Sequence, residues 1–155
     1  MSKLRMFWRY RIAAVPVCVL LLLGAARPAD IDPTAVTYKH PDQIVWNGSP
    51  AGTQVATILG DQSKPGLYII RIKWAPHTNS RPHFHENDRY ITVLSGTWWV
   101  GTGTKYDPDS MVPMPAGSFV TDLAKQVHYD GAKDEPCVIE IVGLGPVTTT
   151  PAETK

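Results

Sequence analysis

The chain has 155 residues, with 15 Lys and Arg against 14 Asp and Glu, 43% apolar side chains, 14 prolines and 12 glycines. This near-neutral balance, without a clustered basic face, argues against a nucleic-acid partner. The proline and glycine content argues against long helices and for one turn-rich all-β domain.

The first element in chain order is a leader. Lys3, Arg5, Arg9 and Arg11 precede an apolar run from Ile12 to Leu23, followed by the small residues Gly24, Ala25 and Ala26. Basic, apolar, then small is the order of a secretory signal peptide, here residues 1–26 with cleavage after Ala26. The run is shorter than the roughly 20 apolar residues that span a bilayer, and Pro16 interrupts it. The mature protein is therefore expected to be periplasmic or secreted, with no stable membrane insertion after cleavage. Without those four cations, the 15 basic residues fall to 11 against 14 acidic ones, a balance near −3. Cys18 leaves with the leader. Cys137, beside Val138, Ile139 and Ile141, is then the only thiol and reads as a buried small apolar residue.

Residues 27–39 are polar and weakly patterned and read as an arm. Strands are predicted at Gln43–Trp46, Thr53–Leu59 and Leu67–Trp74. The last alternates, with Tyr68, Ile70, Ile72 and Trp74 on one face and Leu67, Ile69, Arg71 and Lys73 on the other. Strand character resumes at Pro82–His85 and Tyr90–Leu94. Ser95-Gly96-Thr97 then reads as a tight turn into Trp98-Trp99-Val100, a hairpin. After a polar loop from Gly101 to Ser110, Pro113, Pro115 and Gly117 punctuate the approach to Ser118–Thr121. Val127–Tyr129 and Cys137–Val142 close the domain, and residues 148–155 read as a flexible tail. Many short strands with closely spaced turns predict a sandwich or barrel, narrow enough to hold one small ligand or metal.

The stretch richest in chemistry is His83-Phe84-His85. Histidines at i and i+2 on an extended strand project from one face, so each can offer a ring nitrogen to a single transition-metal ion. The same pair also occurs as plain strand decoration. A third histidine from a distant segment, such as His128, would complete a facial set with open positions for water or substrate.

These residues resemble the two short motifs of the cupin superfamily. In the first, His83 and His85 match the His-x-His pair and Gly96 the closing glycine; in the second, Gly117 and His128 match at the right separation. The opening glycine of the first motif falls on His77 and its glutamate on Arg89. In the second, Leu123 stands for proline, Lys125 for glycine and Ala132 for asparagine. The resemblance implies a single-domain cupin jelly-roll β-barrel over residues 40–147. It implies one divalent transition metal (Fe, Cu, Ni, Mn or Zn) on His83, His85 and His128.

Arg89 cannot ligate, because guanidinium stays protonated. Facing inward, it would hold a carboxylate or enolate of substrate and would need an offsetting anion from Glu140, Glu86 or Asp88. Facing outward, it would pair with a surface acid such as Asp88. Glu86 or Asp88 could alternatively serve as a displaced fourth ligand. Glu140, on an apolar closing strand, or a bound hydroxide is the expected general base, with Arg89 steadying anionic charge. The resemblance thus implies an oxidoreductase, dioxygenase-like, acting on a small oxygen-ligating anion. A metal-dependent lyase or isomerase and a non-enzymatic ligand-binding module are the alternatives. The expected partners are a small-molecule ligand and a second copy in a homodimer, with no nucleic acid.

Overall fold

The computed structural model of the protein describes residues 30–155; the expected leader, with Cys18, lies outside them. Residues 30–37 are exposed, with a turn in which the Asp32 carboxylate accepts the Thr34 amide and hydroxyl. The compact unit runs from Tyr38 to Lys155.

It is built of eleven strands in two antiparallel sheets: β1 (Asn47–Gly48), β2 (Thr53–Leu59), β3 (Gly66–Trp74), β4 (His83–Phe84), β5 (Arg89–Ser95), β6 (Thr97–Thr102), β7 (Val112–Pro115), β8 (Phe119–Asp122), β9 (His128–Gly131), β10 (Cys137–Gly145) and β11 (Thr150–Pro151). The first sheet has the order β1-β2-β3-β10-β5-β8 and the second β11-β4-β9-β6-β7. Among the described residues there is no α-helix. The architecture is the expected all-β jelly roll, and β2 and β3 fall where alternation places them.

The core lies between the sheets. Tyr68, Ile70 and Trp74 of β3, Ile91 and Val93 of β5, and Cys137, Ile139 and Ile141 of β10 point inward to meet Trp98 of β6. Each strand buries alternate residues because its other face meets water. Trp98, without solvent exposure, is the largest fully buried side chain. Its indole N–H is satisfied by the buried carboxylate of Asp130 at 3.2 Å.

Four expectations are corrected. Gln43–Trp46 is not a strand. Pro41–Gln43 forms a 3₁₀ turn closed by the His40 amide on the Gln43 side-chain oxygen, and Trp46 lies under the Lys73 ammonium. Ser95-Gly96-Thr97 does not close a hairpin, because β5 and β6 belong to different sheets. Gly96 is the corner where the chain crosses the core. Its φ is +68°, and a Cβ there would stand 2.2 Å from the Pro136 carbonyl, so only glycine fits. Pro113 and Pro115 do not merely punctuate; they lie within β7, the edge strand of its sheet, where a missing N–H leaves no inner ladder bond unmade. Residues 148–155, expected to be a flexible tail, instead carry β11, which pairs with β4.

Candidate metal centre

The short strand β4 is held on both sides, by β11 and by β9, and in the β9 ladder His83 stands directly opposite His128. Partners across a ladder share a face, so this register brings the distant third histidine beside the first. His85, one residue beyond β4, shares their face by period two. All three are buried, and each offers one ring nitrogen within 4.8 Å of the others. Their ring centroids lie 4.6, 4.9 and 5.4 Å apart.

The main chain sets the tautomers. His83 Nδ1 meets the Arg81 carbonyl at 2.7 Å, His85 Nδ1 the Thr148 carbonyl at 2.7 Å, and His128 Nδ1 the Gln126 carbonyl at 3.1 Å. A carbonyl only accepts, so each Nδ1 carries the proton and each Nε2 is left with a lone pair. His85 Nε2 is buried without any hydrogen-bond partner. An orphaned buried lone pair is costly unless a cation takes it. Burial, reinforced by the Arg89 charge, holds the His85 imidazole down at about 4, and burial likewise lowers His83. Both rings are therefore neutral at physiological pH, the form a metal requires. The three residues fit a metal ion.

Arg89 faces inward. It opens β5 on the side of Ile91 and Val93, and it is buried. A bend at Glu86 and Asn87 interrupts the strand, so this parity is not readable from sequence. The anion that offsets it is Asp122, which stands opposite Arg89 in the β5–β8 register. Asp122 Oδ2 accepts Arg89 Nη2 at 2.5 Å and Nε at 3.2 Å, and it lies 3.4 Å from His128 Nε2.

The three acids expected to face Arg89 or the metal are committed elsewhere. Glu140 is corrected outright. On β10 the residues on either side of it, Ile139 and Ile141, fill the core, so Glu140 points to the outer face and pairs with Arg71 at 2.8 Å. It cannot be the general base of this site. Glu86 meets Lys125 at the surface, and the exposed Asp88 accepts the Ala124 amide. His77 is exposed and outside the cluster.

Reading β8 one residue further would have found Asp122, since Val120 and Asp122 alternate inward across from Ile91 and Arg89. The carbonyl partners leave no trace in side-chain identity. Tyr68, one of the alternating residues of β3, is buried beside His85 and Arg89, and burial raises its hydroxyl's pKa. A cleft of about 200 Å³ opens between β8 and the β6–β9 pair. Val100, Val120, Leu123 and Val127 give it apolar walls, and the buried Asp122 and His128 also line it. A larger cleft of about 330 Å³, beside Trp74 and Cys137, lies at the other end of β3 and β10 and contains none of the histidines.

No family model matches the chain, and no curated protein matches it. Solved structures do. The polyketide cyclase RemF from Streptomyces resistomycificus superposes with a TM-score of 0.63 at 14% identity, over 77% of this chain and 87% of that one. A cupin-2 domain from Rhodospirillum rubrum gives 0.58 at 12% identity, over 77% and 81%. A cupin-superfamily sugar phosphate isomerase from Silicibacter pomeroyi gives 0.55 at 15% identity, over 70% and 76%. At these identities the likeness is one of fold, and the fold is that of a cupin.

Proposed function

We propose that the protein is a metal-dependent enzyme whose three-histidine centre takes a small, oxygen-ligating anion, with a dioxygenase-like oxidation as the leading reaction. The observation that carries this reading is the partnerless Nε2 of His85, in a cluster whose three histidines each offer a ring nitrogen within 4.8 Å of the others. His83, His85 and His128 would hold the ion. When bound, it supplies Lewis-acid polarisation of substrate oxygens and, in an oxidative reaction, electrons for dioxygen. Three neutral nitrogen ligands leave its charge uncancelled, and Arg89 and Asp122 balance each other, so an anion is favoured. The cleft between β8 and β9 admits the substrate's apolar body. Its volume is below the roughly 300–1,000 Å³ of pockets for drug-sized ligands, which restricts the substrate to a compact molecule. Arg89 orients the anionic end, and the valine-rich walls exclude water from it.

A second reading is favoured by two of the structural neighbours. RemF is a cyclase and the Silicibacter pomeroyi protein an isomerase, and neither name implies consumption of oxygen. A lyase or isomerase would use the same ion to stabilise an enolate. In either case we propose that residues 1–26 act as a leader that directs the protein to the periplasm or outside the cell, and N-terminal sequencing of the exported form tests cleavage after Ala26.

The primary test is metal content of protein purified without chelator or nickel resin, beside His83→Ala. Near-stoichiometric metal that is lost in the variant supports the site, and oxygen uptake during turnover then separates the two reactions. Absence of bound metal after each ion is offered refutes the enzyme reading and leaves a ligand-binding module.

A further inference from the structure

Deepening the three-histidine reading and resting on it, we infer that Asp122 is the carboxylate donor of the metal centre. It would take the role that Arg89 makes impossible at the motif's glutamate position. Asp122 comes from a different strand, β8, and reaches the site only because the β5–β8 register sets it opposite Arg89 with both side chains inward.

Two features of the geometry carry this. First, Asp122 Oδ2 and His128 Nε2 are 3.4 Å apart, and both are lone-pair atoms in the tautomer that Gln126 imposes. Bare acceptors at that separation repel each other unless a cation serves both. In the metal-free protein Arg89 Nη2 is that cation, 2.5 Å from Oδ2 and 3.5 Å from Nε2. Donors bound about 2.1 Å from a tetrahedral ion also sit roughly 3.4 Å from each other. The spacing is that of two ligands of one ion. Second, both hydrogen bonds from Arg89 fall on Oδ2, so the guanidinium holds that oxygen beside His128 Nε2.

Charge points the same way. A divalent ion on His128 Nε2 would face the Arg89 guanidinium across a few ångströms of buried space, where the repulsion is large. Among the described acids, Glu86, Asp88 and Glu140 are engaged elsewhere, and Asp122 is the carboxylate beside this pair. Arg89 then acts as a positioning residue for the ligand as well as a contact for substrate.

The test uses the full mature chain and the metals alone as probes. Zn(II) affinity is read by competition with a chromophoric chelator, and ligand geometry by the visible spectrum of the Co(II) form. The variants are Asp122→Asn, Arg89→Met and the double variant. The double variant removes the buried ion pair whole, which covers the case in which Asp122→Asn alone fails to fold. Loss of an outer partner of a ligand costs roughly 10–100-fold in affinity. Asp122→Asn is expected to exceed that and to alter the Co(II) spectrum. Arg89→Met removes an outer partner of Asp122 but also a cation beside the ion, so it should change affinity less than Asp122→Asn does and retain the Co(II) spectrum, and the double variant should show the Asp122→Asn spectrum. A double variant with wild-type affinity and spectrum overturns the inference and makes Asp122 only the counter-ion of Arg89. If the wild-type protein binds no metal, the three-histidine reading falls first and this inference with it. Metal that binds wild type and Asp122→Asn equally overturns the inference alone.

Discussion

Deleting residues 148–155 should weaken metal binding without unfolding the barrel. His85 lies just beyond the two-residue strand β4, so its ring orientation depends on what grips it from outside. The grip is the Thr148 carbonyl, 2.7 Å from Nδ1, with the Thr149 hydroxyl at 3.4 Å. The chain that presents this carbonyl is anchored downstream. β11 pairs with β4, the Ala152 amide donates to the Pro82 carbonyl at 2.9 Å, and the Thr154 amide donates to the Thr104 carbonyl at 2.9 Å. The Arg81 guanidinium stacks on Tyr106 and forks onto the Glu153 carboxylate.

The sizes can be separated. Anchoring hydrogen bonds contribute about 0.5–1.5 kcal/mol each, and a solvent-screened pair such as Arg81–Glu153 adds at most about 1 kcal/mol. With the Thr148, Ala152 and Thr154 bonds and one β11–β4 ladder bond counted, the deletion costs about 2–7 kcal/mol, set against the roughly 5–15 kcal/mol of an ordinary domain. Losing the partner that orients a metal-binding histidine costs about 10–100-fold in affinity, or about 1.4–2.8 kcal/mol. The assay is Zn(II) competition against a chelator on a chain ending at Val147, with thermal melting to establish that it is folded. Thr148→Ala is the control, because the contact is made by the main chain and should survive. A folded truncated chain with the full-length Kd would refute the reasoning, since His85 would then be oriented without its carbonyl.

Acid should destabilise the metal-free protein in a defined window. His85 titrates at about 4 when folded and near 6.5 when unfolded, so between those values the unfolded chain binds more protons. Stability should be full above about pH 7 and fall as pH drops from 6.5 toward 4, by up to about 1.4 kcal/mol per unit for one histidine; His83, also lowered, adds to the slope. Melting temperature against pH reads this directly, and a flat profile from pH 7 to 4 would contradict the burial of these rings. Glu140→Gln should leave metal affinity unchanged within about twofold and cost no more than about 1 kcal/mol, because its partner Arg71 is a partly exposed outer-face residue. Loss of metal in that variant, with the fold intact, would return Glu140 to the site.

What was legible in the sequence was what period and spacing encode. The alternation of β3, the same-face geometry of His83 and His85, and the motif distance to His128 needed only the local chain. Sheet membership did not, and that is why Gly96 was misread: a glycine between two apolar runs suits a hairpin and a sheet-to-sheet corner equally. The distinction lies in Pro136, forty residues away, whose carbonyl crowds the corner. Glu140 failed for a related reason. An acid amid Val138, Ile139, Ile141 and Val142 looks buried, yet on a strand it shares its face only with Val138 and Val142, and the outer face of β10 is covered by neighbouring strands' side chains such as Arg71. Asp122 lies one residue past the strand read from sequence, where alternation turns it inward; that it meets Arg89 is set by the register between β5 and β8, which no local pattern reveals.

The motif departures divide by what the missing residue does. A motif glycine supplies backbone freedom, and the chain keeps that conformation without it: His77 has φ +59° and Lys125 φ +62°, both at positions where the cupin pattern has glycine. The turn at Lys125 serves the site, since its amide donates to the His85 carbonyl at 2.7 Å. A side chain in this left-handed region costs roughly 1–2 kcal/mol. Lys125→Gly should therefore stabilise the protein by about 1 kcal/mol, after the extra backbone entropy of glycine in the unfolded chain is subtracted, raising Tm by about 3–5 °C. Lys125→Ala should gain nothing, because alanine bears the same strain and the Glu86 contact it removes is exposed. A Lys125→Gly melting temperature below that of Lys125→Ala would mean that the turn is unstrained, because only the entropy cost of glycine would remain. The glutamate departure is different in kind, because a charge cannot be replaced by a backbone conformation. Arg89 inverts the sign at that position, and the fold answers with Asp122 across the ladder.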